Sequence, residues 1–489
     1  MRRFVLLVCS VAAPLALVGA ALPGCGSDEP SSTFGSSSGS NGGDGSCVGF
    51  GCTNDNEGGK PGECQGLECN QQDCTGASKT TLTGRVFDPA GKVPLYNVVV
   101  YVPNGELAPI SAGLGPTCER CDASVSGHPI ALTATDANGD FRLENVPADT
   151  DFPLVMQIGK WRRKVTIPKV AACQSAAADV ALTRLPRNRT EGDIPRMALT
   201  TGSADPLECL LRKIGLDDSE FGSAGSEARV HLYVGGSTDS ASATSSFSGG
   251  AAFAQATSLW GSVDELKKYD IVMLSCEGAE LETNKPTSAR QALYDYAKVG
   301  GRVFTSHFHH YWFSNSPVPE VKNIASWTND FTCQGGSCSF ETEPAANVTV
   351  NATVNTSFAK GAAMKEWLKN TQSLTGPGET LPIQEARHNV NSVSGSALSW
   401  MTIANPAAGK KTAHEYVTFN TPVGAPDDQV CGRVVYSDLH VGAGDTTGKP
   451  FPAGCTTPDL TPQQKALEFM LFDLSSCIQK DDLPPVLPK

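Results

Sequence analysis

The spacing of apolar residues changes character near residue 195. From 79 to 186, short runs of β-branched and aromatic residues alternate with turns rich in Gly, Pro, Asn and Asp. This alternation is typical of an all-β sandwich. The predicted strands are Thr81–Phe87, Val98–Val102, Ile130–Thr135, Gly139–Leu143, Leu154–Ile158 and Lys164–Ile167.

From 196 to 478, strand-like runs alternate with amphipathic ones, after a polar linker at 187–195 and before a tail at 479–489. Strands that alternate with helices predict βαβ units and an open parallel sheet of the flavodoxin-like α/β type. The predicted strands are Met197–Thr201, Val230–Val234, Ile271–Ser275, Arg302–Thr305 and Gly432–Ser437, with Leu398–Ala404 and His414–Asn420 as extra strands. The predicted helices are Pro206–Ile214, Val263–Lys268, Ser288–Val299, Gly361–Asn370 and Thr461–Ser476.

The first 24 residues have the features of a secretory signal peptide. Arg2 and Arg3 are basic, and Phe4–Val18 is apolar but too short and too Pro-interrupted to span a membrane comfortably. Leu22–Cys25 resembles a bacterial lipoprotein box, which implies lipidation of Cys25. Ordinary secretory cleavage is the alternative. Because Gly26 is not an aspartate, we expect an anchor in the outer membrane, at the cell surface.

The mature N-terminus is predicted to be a Ser/Gly-rich tether at 25–46 and a cysteine-rich segment at 47–78. Cys47–Cys52 and Cys64–Cys69 repeat a C-x-G-Φ-x-C pattern, in which Φ is apolar. Seventeen cysteines favour an oxidising compartment and disulfides. A zinc site is the alternative in this segment, but its spacings are wide and it contains no histidine.

The net charge of −13 and the pI near 5.1 argue against a nucleic-acid partner, because phosphates repel an acidic surface. We therefore expect no nucleic acid among the partners. No cofactor is predicted.

Three stretches of the β-region resemble the carboxypeptidase regulatory-like (transthyretin-like) sandwich. They are Thr83–Val86, Pro94–Val100 and Thr135–Leu143, and Val146-Pro147 follows the third. The resemblance implies a non-catalytic module. An insertion carries Cys118-x-x-Cys121 in a Gly/Pro-containing loop, where we expect a stapled loop rather than a redox pair.

The second region is similar to the class I glutamine amidotransferase-like fold, and in particular to its trehalose-utilisation (ThuA-like) branch. The similarity lies in Tyr269–Leu274, Gly300–Phe304 and Gly432–His440. Amidotransferases carry a cysteine nucleophile in G-x-C-x-G after the Gly-Gly strand, where this chain has Ser306-His307-Phe308, so glutaminase chemistry is excluded. The ThuA-like branch is suggested to act on sugars. It places histidines where this chain has His307 and His440.

The candidate catalytic residues each follow a predicted strand. The carboxyl ends of three predicted strands are followed by Glu277, His307 and His440, respectively. Ligands bind at the carboxyl ends of the strands in an open α/β sheet. These three side chains can act as general acid and base or bind a metal. Asp445 is expected to orient His440. Cys276 is either a nucleophile or, the interpretation favoured by the cysteine-rich composition, part of a disulfide.

The combination of these segments also resembles uncharacterised lipoproteins of soil-dwelling predators such as myxobacteria. Two functions remain open. The first is an anchored binding or scaffolding protein with a carbohydrate or cell-envelope ligand. The second is a surface hydrolase of a carbohydrate or glycoconjugate. Convergence of the candidate residues in an open pocket would favour the hydrolase, and a cleft closed by Tyr311 and Trp312 would favour the binding protein.

Overall fold

The computed structural model describes residues 64–76, 78–114, 118–236, 243–328, 331–334, 337–340, 344, 348–440 and 445–488. The predicted signal peptide, Cys25, the tether and the first half of the cysteine-rich segment lie outside these residues. The described chain belongs to one unit, Pro61–Lys489. Within the described ranges, the helices lack the combination of length and apolarity that crossing a bilayer requires.

The first region contains two sheets that share an apolar core. One has the order β4-β1-β7 and the other the order β3-β2-β5-β6. Leu82 of the first sheet and Leu154 of the second belong to the same buried cluster. The strands are β1 (Thr81–Arg85), β2 (Val99–Pro103), β3 (Pro129–Ala134), β4 (Asp140–Glu144), β5 (Phe152–Ile158), β6 (Trp161–Ile167) and β7 (Ser175–Ala177).

A large mixed sheet dominates the second region. Its first strands are β8 (Met197–Thr201), β9 (Phe221–Gly222), β10 (Val230–Val234), β11 (Ala254–Gln255), β12 (Ile271–Leu274) and β13 (Arg302–Ser306). The later strands of the chain are β14 (Ala325–Trp327), β15 (Phe331–Gln334), β16 (Ser337–Phe340), β17 (Val350–Val354), β18 (Leu381–Ile383), β19 (Val390–Val393), β20 (Leu398–Asn405), β21 (Lys411–Thr421) and β22 (Gly432–Ser437). Two separate antiparallel pairs, β14-β19 and β15-β16, lie outside the large sheet.

The order of the large sheet is β11-β10-β8-β12-β13-β22-β21-β20-β17-β18, and β9 pairs with β10. Strands from β11 to β22 are parallel, as predicted. From β22 onwards the pairing is antiparallel, so the prediction of a wholly parallel sheet is wrong in this half. The cause is local: β20 and β21 are joined by a short turn, which forces them to run in opposite directions.

The helices are α1 (Leu207–Lys213), α2 (Ala256–Trp260), α3 (Val263–Leu266), α4 (Thr287–Lys298), α5 (Tyr311–Ser314), α6 (Pro319–Lys322), α7 (Ala359–Asn370) and α8 (Pro462–Ser475). Helix α8 begins with a capping box formed by Thr461 and Gln464. Its aromatic residues contact the first region, with Phe472 beside Trp161 at a ring separation of 5.6 Å. The apolar core is therefore continuous from the two small sheets to the large one.

Disulfides join the two regions. Cys118 bonds Cys431 and Cys121 bonds Cys477, so the prediction of a loop stapled within 118–121 is wrong. The insertion lies against the end of the chain, where Cys121 N donates to Ile478 O at 3.1 Å, and this brings each cysteine to a distant partner. The other disulfides among the described residues are Cys64–Cys69, Cys74–Cys173 and Cys209–Cys455.

Candidate active site

Three adjacent parallel strands bring the candidate residues to one edge of the large sheet. Strand β13 lies between β12 and β22, with Leu274 opposite Thr305 and Ser306 opposite Ser437. Residues that follow these strands therefore meet at the carboxyl edge of the sheet. The rings of His307 and His440 lie 5.1 Å apart.

Cys276 completes this group. Its Sγ lies 3.3 Å from Nδ1 of His307, and one ligand atom from each of Cys276, His307 and His440 lies within 4.8 Å of the others. Cys276 is a free thiol in the described structure, so the favoured prediction of a disulfide at this position is wrong. Its place at the buried end of a central strand keeps it away from the paired cysteines. We refer to Cys276, His307 and His440 as the Cys-His-His cluster.

The backbone around His307 is held in an unusual conformation. His307 has φ of +44°, in the left-handed region that non-Gly residues adopt rarely. The Tyr436 hydroxyl donates to the His307 carbonyl at 3.0 Å. Ser306 donates through Oγ to Asp205 at 2.7 Å and accepts from Cys276 N at 2.9 Å. These contacts hold the thiol and the imidazole at fixed positions on adjacent strand ends.

His440 is oriented by Glu385. Its Nδ1 lies 3.3 Å from the Glu385 carboxylate and 3.4 Å from the Arg387 guanidinium, and its carbonyl accepts from Gln463 at 2.6 Å. Burial lowers the pKa of His440, but Cys276 and Glu385 raise it by more, to about 10. Burial and the nearby His440 instead lower the pKa of His307 well below its ordinary value. The two imidazoles thus favour different protonation states.

Glu277 has both carboxylate oxygens occupied by other partners. One oxygen forms an ion pair with Lys285, and the other accepts from Gly236 N at 2.8 Å. Burial raises the pKa of Glu277, but the charges of Lys285 and His309 and the hydrogen bonds from Lys285 and Gly236 together outweigh burial and lower the pKa below its ordinary value. The structure therefore places this predicted acid/base residue in a buried ion pair.

Asp445 occupies a different place from the one expected. It lies 2.5 Å from Lys213, which is buried, and accepts from Thr456 N at 3.0 Å and Thr457 Oγ1 at 3.1 Å. The expectation that Asp445 orients His440 is wrong, because Glu385 takes that position. The reason is electrostatic, since a buried lysine needs a carboxylate partner.

The aromatic residues after His307 are packed into the interior. His309 Nε2 donates to Ser275 O at 2.8 Å and its Nδ1 accepts from Trp312 Nε1 at 2.9 Å. Trp312 in turn contacts Trp260 edge-on, with ring centroids 5.2 Å apart. The members of the Cys-His-His cluster are themselves at most 2% exposed. The cluster is enclosed by protein, which differs from the open pocket expected of a hydrolase.

No family model and no curated protein matches this chain. Among solved structures, it is similar to a putative thua-like protein from Bacteroides uniformis at 11% identity and TM-score 0.29, covering 56% of this chain and 89% of that one. A putative thua-like protein from Parabacteroides merdae matches at 12% identity and TM-score 0.28, over 59% and 93% of the two chains. A cytoplasmic protein from Salmonella typhimurium matches at 12% identity and TM-score 0.28, over 58% of this chain and 100% of that one. At such low TM-scores the likeness carries no functional argument, so function must be argued from the side chains.

Proposed function

We propose that this chain is a lipid-anchored protein of the bacterial cell surface that binds an envelope carbohydrate, rather than a hydrolase that uses Glu277 as acid or base. The observation that supports this proposal is the state of the two candidate carboxylates. Glu277 pairs with Lys285 and Asp445 pairs with Lys213, and all four side chains are buried.

A carboxylate that acts as general acid or base must exchange a proton with a substrate. Releasing Glu277 from Lys285 would leave both charges without partners in the interior, at a cost of about 3–5 kcal/mol. The same applies to Asp445 and Lys213. A carboxylate held in such an ion pair is suited to a structural role and not to repeated proton exchange with a substrate. The enclosed Cys-His-His cluster agrees with this reading.

A cavity lined by the first region and by residues near the end of the chain supports the binding proposal. A cavity of about 410 Å³ lies between the insertion loop and β5, and Gln157, Ser124 and Ser126 are among its polar lining residues. Each of its three cations is paired with a carboxylate: Arg120 with Asp122 at 3.4 Å, Lys160 with Asp270 at 2.6 Å and Arg162 with Asp193 at 2.8 Å. Hydroxyl and amide groups beside apolar side chains, without a surplus charge, suit a neutral sugar.

We expect the full chain to bind neutral oligosaccharides in this cavity. Ser124→Trp, which places a large side chain in the cavity lining, should weaken binding by about tenfold or more, a loss of roughly 1.4 kcal/mol. Ser396→Trp, at an exposed serine away from the cavity, is the matched control and should bind like the wild type. Calorimetric titration with a panel of neutral oligosaccharides measures the effect. Equal affinity of Ser124→Trp and wild type would contradict the assignment of this cavity.

The hydrolase alternative is tested on the same protein with His307→Ala. Under our proposal, this variant keeps oligosaccharide affinity per folded molecule, and the wild type shows no turnover of nitrophenyl glycosides. General-base loss typically lowers a rate by roughly a hundred- to ten-thousand-fold. Turnover by the wild type that falls by such a factor in His307→Ala would establish the hydrolase instead.

Anchoring is proposed from the Leu22–Cys25 motif, which lies outside the described residues. Cys25→Ser removes the thiol that would carry the lipid, so we expect the protein to move from the membrane fraction to the soluble fraction. Several acyl chains together anchor a protein firmly in a membrane, and the Cys25→Ser protein would lack them. Cys47→Ser is the control and should remain with membranes. Unchanged membrane partition of Cys25→Ser, measured by fractionation and immunoblotting, would refute the anchor.

A further inference from the structure

We propose that the Cys-His-His cluster binds a zinc ion, a role that goes beyond the proposed function and does not depend on it. Zinc accepts thiolate sulfur at about 2.3 Å and imidazole nitrogen at about 2.0–2.1 Å in tetrahedral sites. Two such ligands are therefore separated by roughly 3.6 Å. Sγ of Cys276 lies 3.3 Å from Nδ1 of His307, and the three ligand atoms lie within 4.8 Å of one another.

The surroundings of the cluster resemble the outer shell of a metal site. Ligating histidines usually have their other ring nitrogen bound to a carboxylate, which fixes the ring orientation. Glu385 faces Nδ1 of His440 at 3.3 Å and also lies 3.8 Å from Arg387, whose charge it offsets. Nε2 of His440 is buried, and the His440 imidazole interacts with the Cys276 thiol. It is thus placed to bind a cation.

The ligands sit on rigid elements. Cys276 and His307 follow adjacent central strands, and Gln463 of α8 holds the His440 carbonyl at 2.6 Å. Ser306 Oγ accepts a hydrogen bond from Cys276 N, and the Tyr436 hydroxyl donates one to the His307 carbonyl, which fixes the other two ligands. A preorganised set of this kind needs only a small movement to close around an ion.

The donor types select the metal. One sulfur and two imidazole nitrogens disfavour Ca²⁺ and Mg²⁺, which take oxygen ligands, and favour zinc and neighbouring first-row ions. Three protein ligands also leave a fourth tetrahedral position for water or another small ligand. Cys276 is a free thiol, and it stands beside two imidazoles.

Cobalt is a spectroscopic probe for this site, because it accepts the same ligands as zinc. We expect the full, metal-free chain with intact disulfides to bind one Co²⁺ and to show a thiolate-to-cobalt charge-transfer band in the near ultraviolet. Zn²⁺ should displace the cobalt and abolish the band. Cys276→Ser should lack the band, and Glu385→Gln should lower Co²⁺ affinity by about 10- to 100-fold.

His414→Gln is the matched control, since His414 is a partly buried histidine that contacts Ser399 rather than the cluster. It should bind Co²⁺ like the wild type. If Cys276→Ser does not melt cooperatively, His440→Gln gives the same comparison. The absence of a charge-transfer band in folded wild type, or a band that persists in Cys276→Ser, would overturn the proposal. Oligosaccharide titration of the same samples separates this outcome from failure of the proposed ligand-binding function.

Discussion

Lys285→Met is expected to lower the free energy of unfolding by about 3–5 kcal/mol, because it leaves Glu277 charged and unpaired in the interior. Lys285 is 0% exposed and also donates to the Glu280 carbonyl at 2.6 Å. Methionine has a similar length and keeps the packing against Trp260, whose ring centre lies 5.8 Å from the lysine nitrogen. The loss therefore reports the missing charge together with the missing hydrogen bond to Glu280. Denaturant unfolding with the disulfides intact measures it.

Two further variants make this prediction specific. Lys298→Met changes an exposed lysine at the end of α4 and should alter stability by less than about 0.5 kcal/mol. The double variant Lys285→Met/Glu277→Gln removes the orphaned charge and should recover most of the lost stability. If Lys285→Met were as stable as the wild type, the pair would not hold Glu277, and the main argument against acid/base chemistry would fail.

Most of the fold could be predicted because its strands carry strong local signals. Continuous apolar runs identified β8, β10 and β22 with the bounds that the structure has. Among the strands that were missed, β7 and β11 are two or three residues long and contain only Ala, Ser and Gln. Such segments form strands because they lie beside the edge strand of an existing sheet. Their pairing therefore depends on the tertiary structure and leaves no local sequence signal.

The site was only half predictable, for a related reason. His307 and His440 could be placed together because strand ends of parallel neighbours must meet at one edge. Glu385, which orients His440, lies in a loop without a recognisable motif. The role of Asp445 was misjudged because its partner Lys213 comes from α1, and the ion pair of Glu277 with Lys285 was not foreseen. The free thiol of Cys276 was also missed, since composition favours disulfides without saying which cysteines meet.

The second large effect is expected at Arg433 of β22, the strand that leads to His440. Arg433 is fully buried and pairs with Asp473 at 3.2 Å and with Asp481, while Lys360 lies 2.8 Å from Asp473 and 3.5 Å from Asp481. Two cations thus balance two carboxylates between β22, α7, α8 and the tail. Arg433→Met leaves the two carboxylates with a single lysine.

We expect Arg433→Met to lower the free energy of unfolding by about 3–5 kcal/mol at neutral pH. Arg142→Met, at an exposed arginine of β4, is the matched control and should change it by about 0.5 kcal/mol or less. Equal stability of Arg433→Met and wild type in denaturant unfolding would show that the four charges do not act as a unit.

The same variant should also change the response to acid. Burial raises the pKa of Asp473, but Lys360 and Arg433 outweigh it and lower the pKa below its ordinary value. The stability contributed by this carboxylate is therefore complete above its unfolded pKa of about 3.9 and is lost as the pH falls through the lower folded value. Without Arg433 the folded pKa rises, so acid unfolding of Arg433→Met should begin at a higher pH than that of the wild type. Acid titration followed by circular dichroism measures the two midpoints, and identical midpoints would mean that Arg433 does not stabilise the Asp473 carboxylate.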